Sequence, residues 1–273
     1  MKITTLMENT AISDRFRSEH GLSLYIEAGE QKILFDVGAS PGFLDNAKEM
    51  GVTIADVDYL VISHGHYDHG GGLACFLQTN RKAEIFIHHQ AFTMQYAQRP
   101  DNTMEYIGLE QTLAKDKRIT FTSGNHVIAP GIELFTCDAH KWPLPKSNRD
   151  LLTKRGDELW EDSFNHEQNL IIEENGQLLL IVGCAHNGIW NILRQFQTLK
   201  GRMPDNVIGG FHLSCGSTES ENAETIDRIA HHLLDTQTNY YTCHCTGLEP
   251  YSRLKTIMAD RIDYLSAGSQ LEI

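Results

Sequence analysis

The chain has 273 residues, of which 41% are hydrophobic and 22% charged, and its formal net charge is −13. This composition is typical of a folded globular protein and excludes an intrinsically disordered chain. No basic run offsets the acidic balance, so the charge argues against nucleic acid and against an anionic membrane surface as partners. A small-molecule substrate fits better, and the sequence leaves the oligomeric state open.

The compartment can be inferred from what the sequence lacks. The N-terminus has no apolar stretch of the kind found in signal peptides, and the longest apolar run, residues 178–182, is far too short to cross a bilayer. We therefore expect a cytoplasmic protein. Its six cysteines are then buried or functional thiols and not a disulfide framework, and Cys75 and Cys137 are expected in the core.

Short β-rich runs alternate with helical patterns in the first third of the chain, which is typical of an α/β layered fold. Residues 22–29 and 31–38 predict a hairpin, and a helix is expected over about 41–50. The nearly continuous apolar run 57–63 predicts a central strand buried on both faces. That strand leads directly to His64.

The middle of the chain, residues 137–168, is polar and shows no sustained periodicity. We predict a long connection or lid there, because long ordered loops tend to be functional, although an inert surface connection is the alternative. The whole chain, 1–273, is then a single domain with half-domains of about 1–136 and 169–273. Five cations in the connection could hold an anionic substrate, although solvated charges are the commoner reading: Lys141, Lys146, Arg149, Lys154 and Arg155.

The second half begins with another predicted hairpin, over residues 169–186. It turns at Asn175-Gly176, a strong short-range hairpin signal, and its second strand leads to His186. A helix follows, with four apolar residues at helical spacing on one face: Ile189, Ile192, Leu193 and Phe196.

Two further strand and helix pairs complete the chain. Residues 205–213 predict a strand that ends in His212, and residues 239–247 predict a strand that leads to His244. The first is followed by a helix with Thr218 and Glu221 at capping-box spacing, and the second by a helix over about 248–260. The apolar stripe expected on the first helix consists of Ala223, Ile226, Ala230 and Leu233.

The same arrangement thus recurs four times: a strand, then a histidine, then a turn of small residues. In open α/β sheets ligands bind at the carboxyl ends of strands, so these four loops can converge on one site. The first loop is the richest, because its H-x-H-x-D-H stretch holds His64, His66, Asp68 and His69. Imidazole nitrogen and carboxylate oxygen are ligands that suit zinc, iron and manganese.

These four side chains are more than one catalytic ion takes from a single loop, since a coordination position must stay open for water. We therefore predict two divalent ions. His64 and His66 can hold one ion together, while Asp68 and His69 face a neighbouring position. Three later histidines would complete the two coordination shells: His186, His212 and His244.

The H-x-H-x-D-H stretch, together with Leu-Phe-Asp-Val-Gly upstream, resembles the signature of the metallo-β-lactamase superfamily. The later stretches around His186, His212 and His244 narrow the match. They resemble the branch typified by the dihydropterin-methyl-ribofuranosylaminobenzene-phosphate synthase of methanopterin biosynthesis. The resemblance spans residues 19–268 apart from the predicted lid. It implies a four-layer αββα sandwich and assigns two metal sites: His64, His66 and His186 for the first, and Asp68, His69 and His244 for the second.

His212 is the departure from the family pattern, since most hydrolases of the superfamily place a bridging aspartate there. A neutral imidazole has one free lone pair and cannot bridge two ions. We therefore expect His212 to cap one ion or to contact substrate, and the second site to bind its metal more weakly. A di-iron branch usually has Glu at the position of His66, so the imidazole favours zinc, with manganese, iron or magnesium as alternatives.

The resemblance implies a metal-dependent hydrolase that attacks a small, phosphorylated or ester substrate with metal-bound hydroxide. Asp68 would also orient the nucleophilic water, and His212 would hydrogen-bond the leaving oxygen, so these two are the candidate catalytic residues. Asp36 and Cys184 could fix ligand orientation from behind, although Asp36 could equally cap a turn. Two alternatives are a pyrophosphate-releasing transferase that joins a pterin-like electrophile to an aromatic ribofuranosyl phosphate, and a non-catalytic metal-binding or sensing module.

Residues outside this pattern are given structural roles. Cys243 and Cys245 flank His244, and packing is favoured over metal ligation for both. Glu167 and Gln168 match the branch without an evident physical role. The remaining histidines are expected to be surface or core residues: His20, His88, His89, His126, His140, His166, His231 and His232.

Overall fold

A computed structural model describes residues 1–137, 139–214 and 220–273. The strands in this part of the chain are β1 (Lys2–Met7), β2 (Ser23–Ala28), β3 (Gln31–Phe35), β4 (Tyr59–Ile62), β5 (Glu84–His88), β6 (Gln95–Gln98), β7 (Met104–Tyr106), β8 (Ile119–Thr122), β9 (His126–Ala129), β10 (Ile132–Thr136), β11 (Leu151–Arg155), β12 (Glu158–Glu161), β13 (Gln168–Glu174), β14 (Gln177–Ile181), β15 (Asn206–Gly209), β16 (Asn239–Thr242), β17 (Ile262–Tyr264) and β18 (Gln270–Glu272).

The described helices are fewer than the strands. The α-helices are α1 (Gly42–Glu49), α2 (Tyr67–Gly70), α3 (Leu73–Thr79), α4 (Ile189–Lys200), α5 (Ala223–Leu234) and α6 (Leu248–Met258). Single 3₁₀ turns lie at Ile54–Asp56, Gln111–Lys115, Lys146–Asp150, His244–Thr246 and Ala259–Arg261. No helix among the described residues is long and apolar enough to span a membrane.

Two seven-stranded mixed sheets and one four-stranded sheet hold these strands. The first sheet has the order β18-β1-β2-β3-β4-β5-β8, and the second has the order β17-β16-β15-β14-β13-β10-β9. In each large sheet the strands that precede the predicted site run parallel: β3, β4 and β5 in the first, and β14, β15 and β16 in the second. Their carboxyl ends therefore lie along one edge of each sheet.

Side-chain alternation along the strands explains why the two sheets stack. Phe35 of β3 packs in one apolar cluster with Leu179 and Ile181 of β14. The intervening Leu34 and Leu180 point to the opposite faces of their sheets, since successive residues of a strand face opposite sides. Each sheet thus buries one face against the other sheet.

Helices cover the outer faces. On the first sheet, Phe43 of α1 and Phe76 of α3 pack on the outward side chains of the strands. On the second, Phe196 of α4, Ile226 of α5 and Leu254 of α6 do the same. The order of layers is helix, sheet, sheet, helix, so the predicted α/β fold with an αββα sandwich is confirmed.

Most local predictions match the observed elements. The hairpin of β2 and β3 pairs antiparallel, and α1 lies within the predicted 41–50. The hairpin of β13 and β14 turns at Asn175 and Gly176, both with positive φ, as the Asn-Gly signal predicts. The predicted apolar face of α4 is buried in full.

The beginning of α5 differs from the prediction. Thr218 lies outside the described residues, and the helix is capped by Asn222, whose side chain accepts a hydrogen bond from the Thr225 amide. Glu221 instead accepts a hydrogen bond from the Lys146 amide. Ala223 is exposed at the first helical position, so the buried stripe begins at Ile226.

The predicted structureless connection is also different in the structure. Two of its segments, β11 and β12, form a hairpin that pairs with β6 and β7 in the four-stranded sheet. The polar composition hid this because β12 is exposed along its whole length. The division of sheets also differs from the predicted halves: β9 and β10 belong to the second sheet, and β18 returns to the first.

Candidate metal centre

Four strand ends supply the side chains at the candidate site. β4 ends at Ile62, just before His64, and α2 begins directly after His66. In the second sheet, β14, β15 and β16 are followed within a few residues by His186, His212 and His244. Because parallel strands end at the same edge, these loops meet, as the sequence pattern indicates.

A first group, here called the first triad, consists of His64, His66 and His186. Nε2 of His64 lies 3.1 Å from Nδ1 of His66 and 3.3 Å from Nε2 of His186. Two nitrogens bound to one tetrahedral zinc ion at about 2.0–2.1 Å are separated by roughly 3.3 Å. The spacing of these three rings therefore fits a single ion.

A second group, here called the second triad, consists of Asp68, His69 and His244. Nε2 of His69 lies 3.2 Å from Nε2 of His244. Oδ2 of Asp68 lies 3.2 Å from Nε2 of His244 and 3.6 Å from Nε2 of His69. The three atoms converge from two different sheets on one small volume.

Hydrogen bonds behind the rings orient them toward the centre. The outer nitrogen Nδ1 of His69 lies 2.7 Å from Asp36, and that of His64 lies 2.9 Å from the Ser63 hydroxyl. The Nδ1 atom of His186 lies 2.9 Å from Oδ1 of Asn148. A carboxylate or amide oxygen there takes the Nδ1 proton and leaves the Nε2 lone pair facing inward.

The ring of His244 is held in the same way by the loop that follows β1. Nδ1 of His244 lies 2.8 Å from Oδ1 of Asn9, and the His244 amide donates to Glu8 at 2.6 Å. The backbone of His244 has a φ of 51°, an unfavourable conformation for a residue with a side chain. Asp36, Ala185 and His212 share this left-handed conformation, so backbone strain concentrates at the site.

Burial sets the protonation of the first triad. Desolvation lowers the pKa of His64 and His186 well below the usual value and that of His66 to about 3. Desolvation alone would raise the pKa of Asp68, but the charge of His69 and hydrogen bonds from His20 and His244 outweigh it and hold the pKa well below its usual range. The neutral imidazoles of the first triad thus lie beside an anionic carboxylate, a combination that suits a divalent cation.

His212 lies against the first triad without a hydrogen bond of its own. Its ring centroid is 4.1 Å from that of His186. Among the described residues neither ring nitrogen has a hydrogen-bond partner, although the side chain is buried. Nε2 of His66 is likewise unpartnered. Buried polar atoms without partners are costly, and a metal ion or a substrate would satisfy them.

A cavity of about 460 Å³ opens beside the two triads. Polar groups on its wall include His20, Tyr67 and Arg99, and apolar groups include Ile107 and Leu151. None of the five cations of the connection lines this cavity. The structure therefore gives no support to their predicted role in holding an anion at the site, and Arg99, which is paired with Glu105 at 2.5 Å, occupies the wall instead.

Several residues at the site lack a signal in the sequence. His20, expected to be a surface or core residue, lies with Nε2 3.3 Å from Oδ2 of Asp68. His166 accepts from the Gly65 amide at 3.1 Å and its other nitrogen lies 3.1 Å from Asp162. Neither histidine follows a strand that ends at the site, and neither belongs to a short spacing pattern, so only the tertiary contacts reveal them.

Glu167, a residue without an evident role in the sequence pattern, holds the loop that carries His186. Its carboxylate accepts from the amides of His186 and Asn187 at 2.6 and 2.9 Å. Gln168 joins the sheets, because its amide donates to the carbonyls of Ile62 and Phe86.

Of the cysteines, Cys137 and Cys243 are buried in apolar clusters, while Cys75 is only half-buried. Cys184 and Cys245 line the cavity. The sequence predicted that Cys184 lies behind a ligand, but the structure places it on the other side of the His69 ring. Its Sγ lies 3.1 Å from Nε2 of His69, the nitrogen that faces the centre.

The donor set therefore fits divalent metal ions. Three features support this fit: the two convergent triads, the hydrogen bonds that turn imidazole lone pairs inward, and the unpartnered buried nitrogens of His66 and His212. These features are those of nitrogen and oxygen sites for zinc and similar ions.

Sequence comparison agrees with this reading of the site. The family model described as the metallo-beta-lactamase superfamily matches residues 18–140, which include the H-x-H-x-D-H stretch. Residues 18–140 therefore resemble a metallo-β-lactamase domain. A solved superfamily structure, described as a metal-dependent hydrolase of the beta-lactamase superfamily, aligns with a TM-score of 0.84 and 28% identity over 100% of this chain and 99% of its own.

Two proteins of Methanocaldococcus jannaschii are similar to this chain along nearly its whole length. One is 7,8-dihydropterin-6-methyl-4-(beta-D-ribofuranosyl)-aminobenzene-5'-phosphate synthase, 29% identical over 98% of this chain and 95% of its own length. The other is an uncharacterized protein, 27% identical over 93% of this chain and 94% of its own length. The resemblance to the synthase branch is confirmed.

Proposed function

We propose that this protein is a metal-dependent hydrolase that cleaves a phosphate or other ester bond in a small molecule. The observation that carries the proposal is the pair of triads at the wall of one cavity, with imidazole nitrogens turned inward by hydrogen bonds from behind. The first triad would hold one ion and the second triad the other. Most members of the superfamily are enzymes, which favours catalysis over a sensing role.

Divalent ions at such a centre supply an activated water and polarise the electrophile. The chain's own residues then position the reactants. Asp68 has one carboxylate oxygen shared among His20, His69 and His244, which places it where it can orient a nucleophile. His212 lines the same cavity with an unpartnered ring nitrogen, which can donate a hydrogen bond to a leaving oxygen.

The size of the cavity limits the substrate to a small molecule. Its volume of about 460 Å³ lies within the range of sites for small ligands. Arg99 and His20 can attract an anionic group, while Ile107 and Leu151 offer an apolar surface to the rest of the molecule. A phosphorylated compound with an apolar portion fits this distribution.

A transferase is the second candidate, because one relative with this overall similarity is named as a synthase. In that reaction the ions would hold a pyrophosphate leaving group while an organic nucleophile attacks. The two candidates share the metal centre and differ in whether water is the nucleophile.

Turnover of an activated phosphodiester, bis(p-nitrophenyl) phosphate, tests the proposal. Protein loaded with zinc or manganese should release p-nitrophenolate, and His66→Ala should lose at least about a hundredfold in kcat/KM, as expected when catalysis depends on the ions. His231→Ala, on the exposed side of α5, is the matched control and should retain activity.

Pyrophosphate release distinguishes the candidates. Release from a small pyrophosphate ester in water alone supports the hydrolase, whereas release only when an aromatic amine is added supports the transferase. Full metal binding without turnover of phosphate esters, pyrophosphates or carboxylic esters would overturn both and favour the sensing module.

A further inference from the structure

Cys184 lies between the two triads, surrounded by metal-ligating atoms. Its Sγ lies 3.1 Å from Nε2 of His69 and within 4.8 Å of ring nitrogens of His64, His186 and His244. These histidines come from both triads. The side chain is 2% exposed, so the sulfur faces the interior of the site and not the solvent.

The contact with His69 excludes a role behind the ligand. Asp36 already occupies that position, 2.7 Å from the outer nitrogen Nδ1. The sulfur meets the opposite nitrogen, which faces His244 and Asp68. An atom on this side of the ring competes for the same ion as the ring nitrogen or binds that ion with it.

A second, independent observation comes from His212. Among the described residues neither of its ring nitrogens has a partner, and the side chain is only 5% exposed. One of these nitrogens lies within 4.8 Å of the Cys184 sulfur and of a His186 nitrogen. The unpartnered nitrogen and the sulfur thus border the same volume as the first triad.

We propose that Cys184 binds metal as a thiolate and is the ligand shared by the ions of the first and second triads. This inference rests on the proposed metal centre. A thiolate sulfur keeps several lone pairs and can bond two ions, whereas His212 can bond only one. On binding, the S–H bond breaks, sulfur–metal bonds form, and the proton passes to solvent.

Substitution with cobalt(II) tests the sulfur ligand directly. Wild-type protein loaded with cobalt should show a near-ultraviolet sulfur-to-cobalt charge-transfer band, and Cys184→Ser should lose the band and bind cobalt at least about tenfold more weakly. Cys245→Ser is the matched control, because its thiol is buried beside the same cavity and lies within 4.8 Å of the Cys184 sulfur. The control should keep the band.

The cobalt content of each sample, measured by elemental analysis, separates the failures. Cobalt bound without a charge-transfer band, or a band lost in Cys245→Ser and kept in Cys184→Ser, would overturn the role of Cys184 and leave the metal centre standing. No bound cobalt in wild-type protein would overturn the metal centre itself.

A measurement on wild-type protein covers the case in which Cys184→Ser does not fold. X-ray absorption at the zinc edge should show a sulfur shell at about 2.3 Å beside nitrogen at about 2.0–2.1 Å. A first shell of nitrogen and oxygen alone would overturn the proposal.

Discussion

The direction in which each imidazole points depends on the residue behind it. Asp36, Asn148 and Asn9 hold the Nδ1 atoms of His69, His186 and His244. A ring without this hydrogen bond could rotate or take the other tautomer and lose its inward lone pair. The affinity for metal at this site is therefore a property of the ligands and of their supports together.

Asn148→Ala tests the support of His186. The substitution removes the hydrogen bond to Nδ1 and the one that the amide donates to the His186 carbonyl at 2.8 Å. Because the ring would be less fixed, we expect zinc affinity to fall by about 10–100-fold in a competition titration with a chelator. Asn46→Ala is the control: it also removes buried hydrogen bonds, but on α1. Equal zinc affinities in the two variants would contradict the assignment.

Sequence patterns identify the ligands better than their supports. The H-x-H-x-D-H spacing and the histidines after strands indicate the candidate ligands, because ligand type and strand end are local features, whereas their division into two triads is what the family resemblance implies. Asn9 supports a ring 235 residues away, and no local pattern links the two. His20 reaches Asp68 from the same N-terminal segment, and its role follows only from the way β1 and β2 enter the first sheet.

At the scale of elements, the loops after the strands are tightly packed against one another. Gly183 follows β14, and a Cβ atom there would contact the Ser63 hydroxyl, lie 2.7 Å from the Ser63 Cβ and 3.3 Å from Nδ1 of His64. The loop after β14 therefore packs directly against the loop that carries the H-x-H-x-D-H stretch.

Gly183→Ala should consequently displace Ser63 and His64. We expect a loss of about 1–3 kcal/mol in the free energy of unfolding, the usual cost of overpacking, together with weaker zinc binding. Urea denaturation and zinc titration measure the two effects. Gly201→Ala is the control: its φ of 74° disfavours alanine, but open space surrounds the residue. This variant should lose about 1 kcal/mol in the free energy of unfolding and keep its zinc affinity. Unchanged zinc affinity in Gly183→Ala would contradict the coupling of the two loops.

The elements that the sequence predicted best have strong local signals. Asn175-Gly176 predicted the turn between β13 and β14, and the apolar face predicted α4. The hairpin of β11 and β12 was missed because β12 is exposed along its whole length and β11 pairs with β6, about fifty residues earlier in the chain. Cap residues were misjudged at α5, where a neighbouring asparagine replaced the expected capping box.

For the whole molecule, the candidate site is a junction between the two sheets. The first triad joins His64 and His66 of the first sheet to His186 of the second, and the second triad joins Asp68 and His69 to His244. An ion bound at either triad would link the two sheets. Metal binding should therefore stabilise the fold as a whole and not one loop.

Removal of metal tests this link. Ligand binding to the folded state alone stabilises it by about 2.7 kcal/mol when free metal is about a hundredfold above Kd. We expect the metal-free protein to unfold in one transition at lower temperature and lower urea, and zinc to restore the difference. The same thermal midpoint with and without zinc, measured by calorimetry, would contradict a metal-linked junction.

The most direct test of the central claim is elemental analysis of metal per chain, on wild-type protein beside His66→Ala and the control His231→Ala. The two triads predict about two divalent ions in the wild type and in the control, and fewer in His66→Ala because the first triad loses one of its three ligands. One ion in the wild type would contradict the two-ion centre. No metal, even after zinc, manganese and iron are supplied, would contradict a metal-dependent activity altogether.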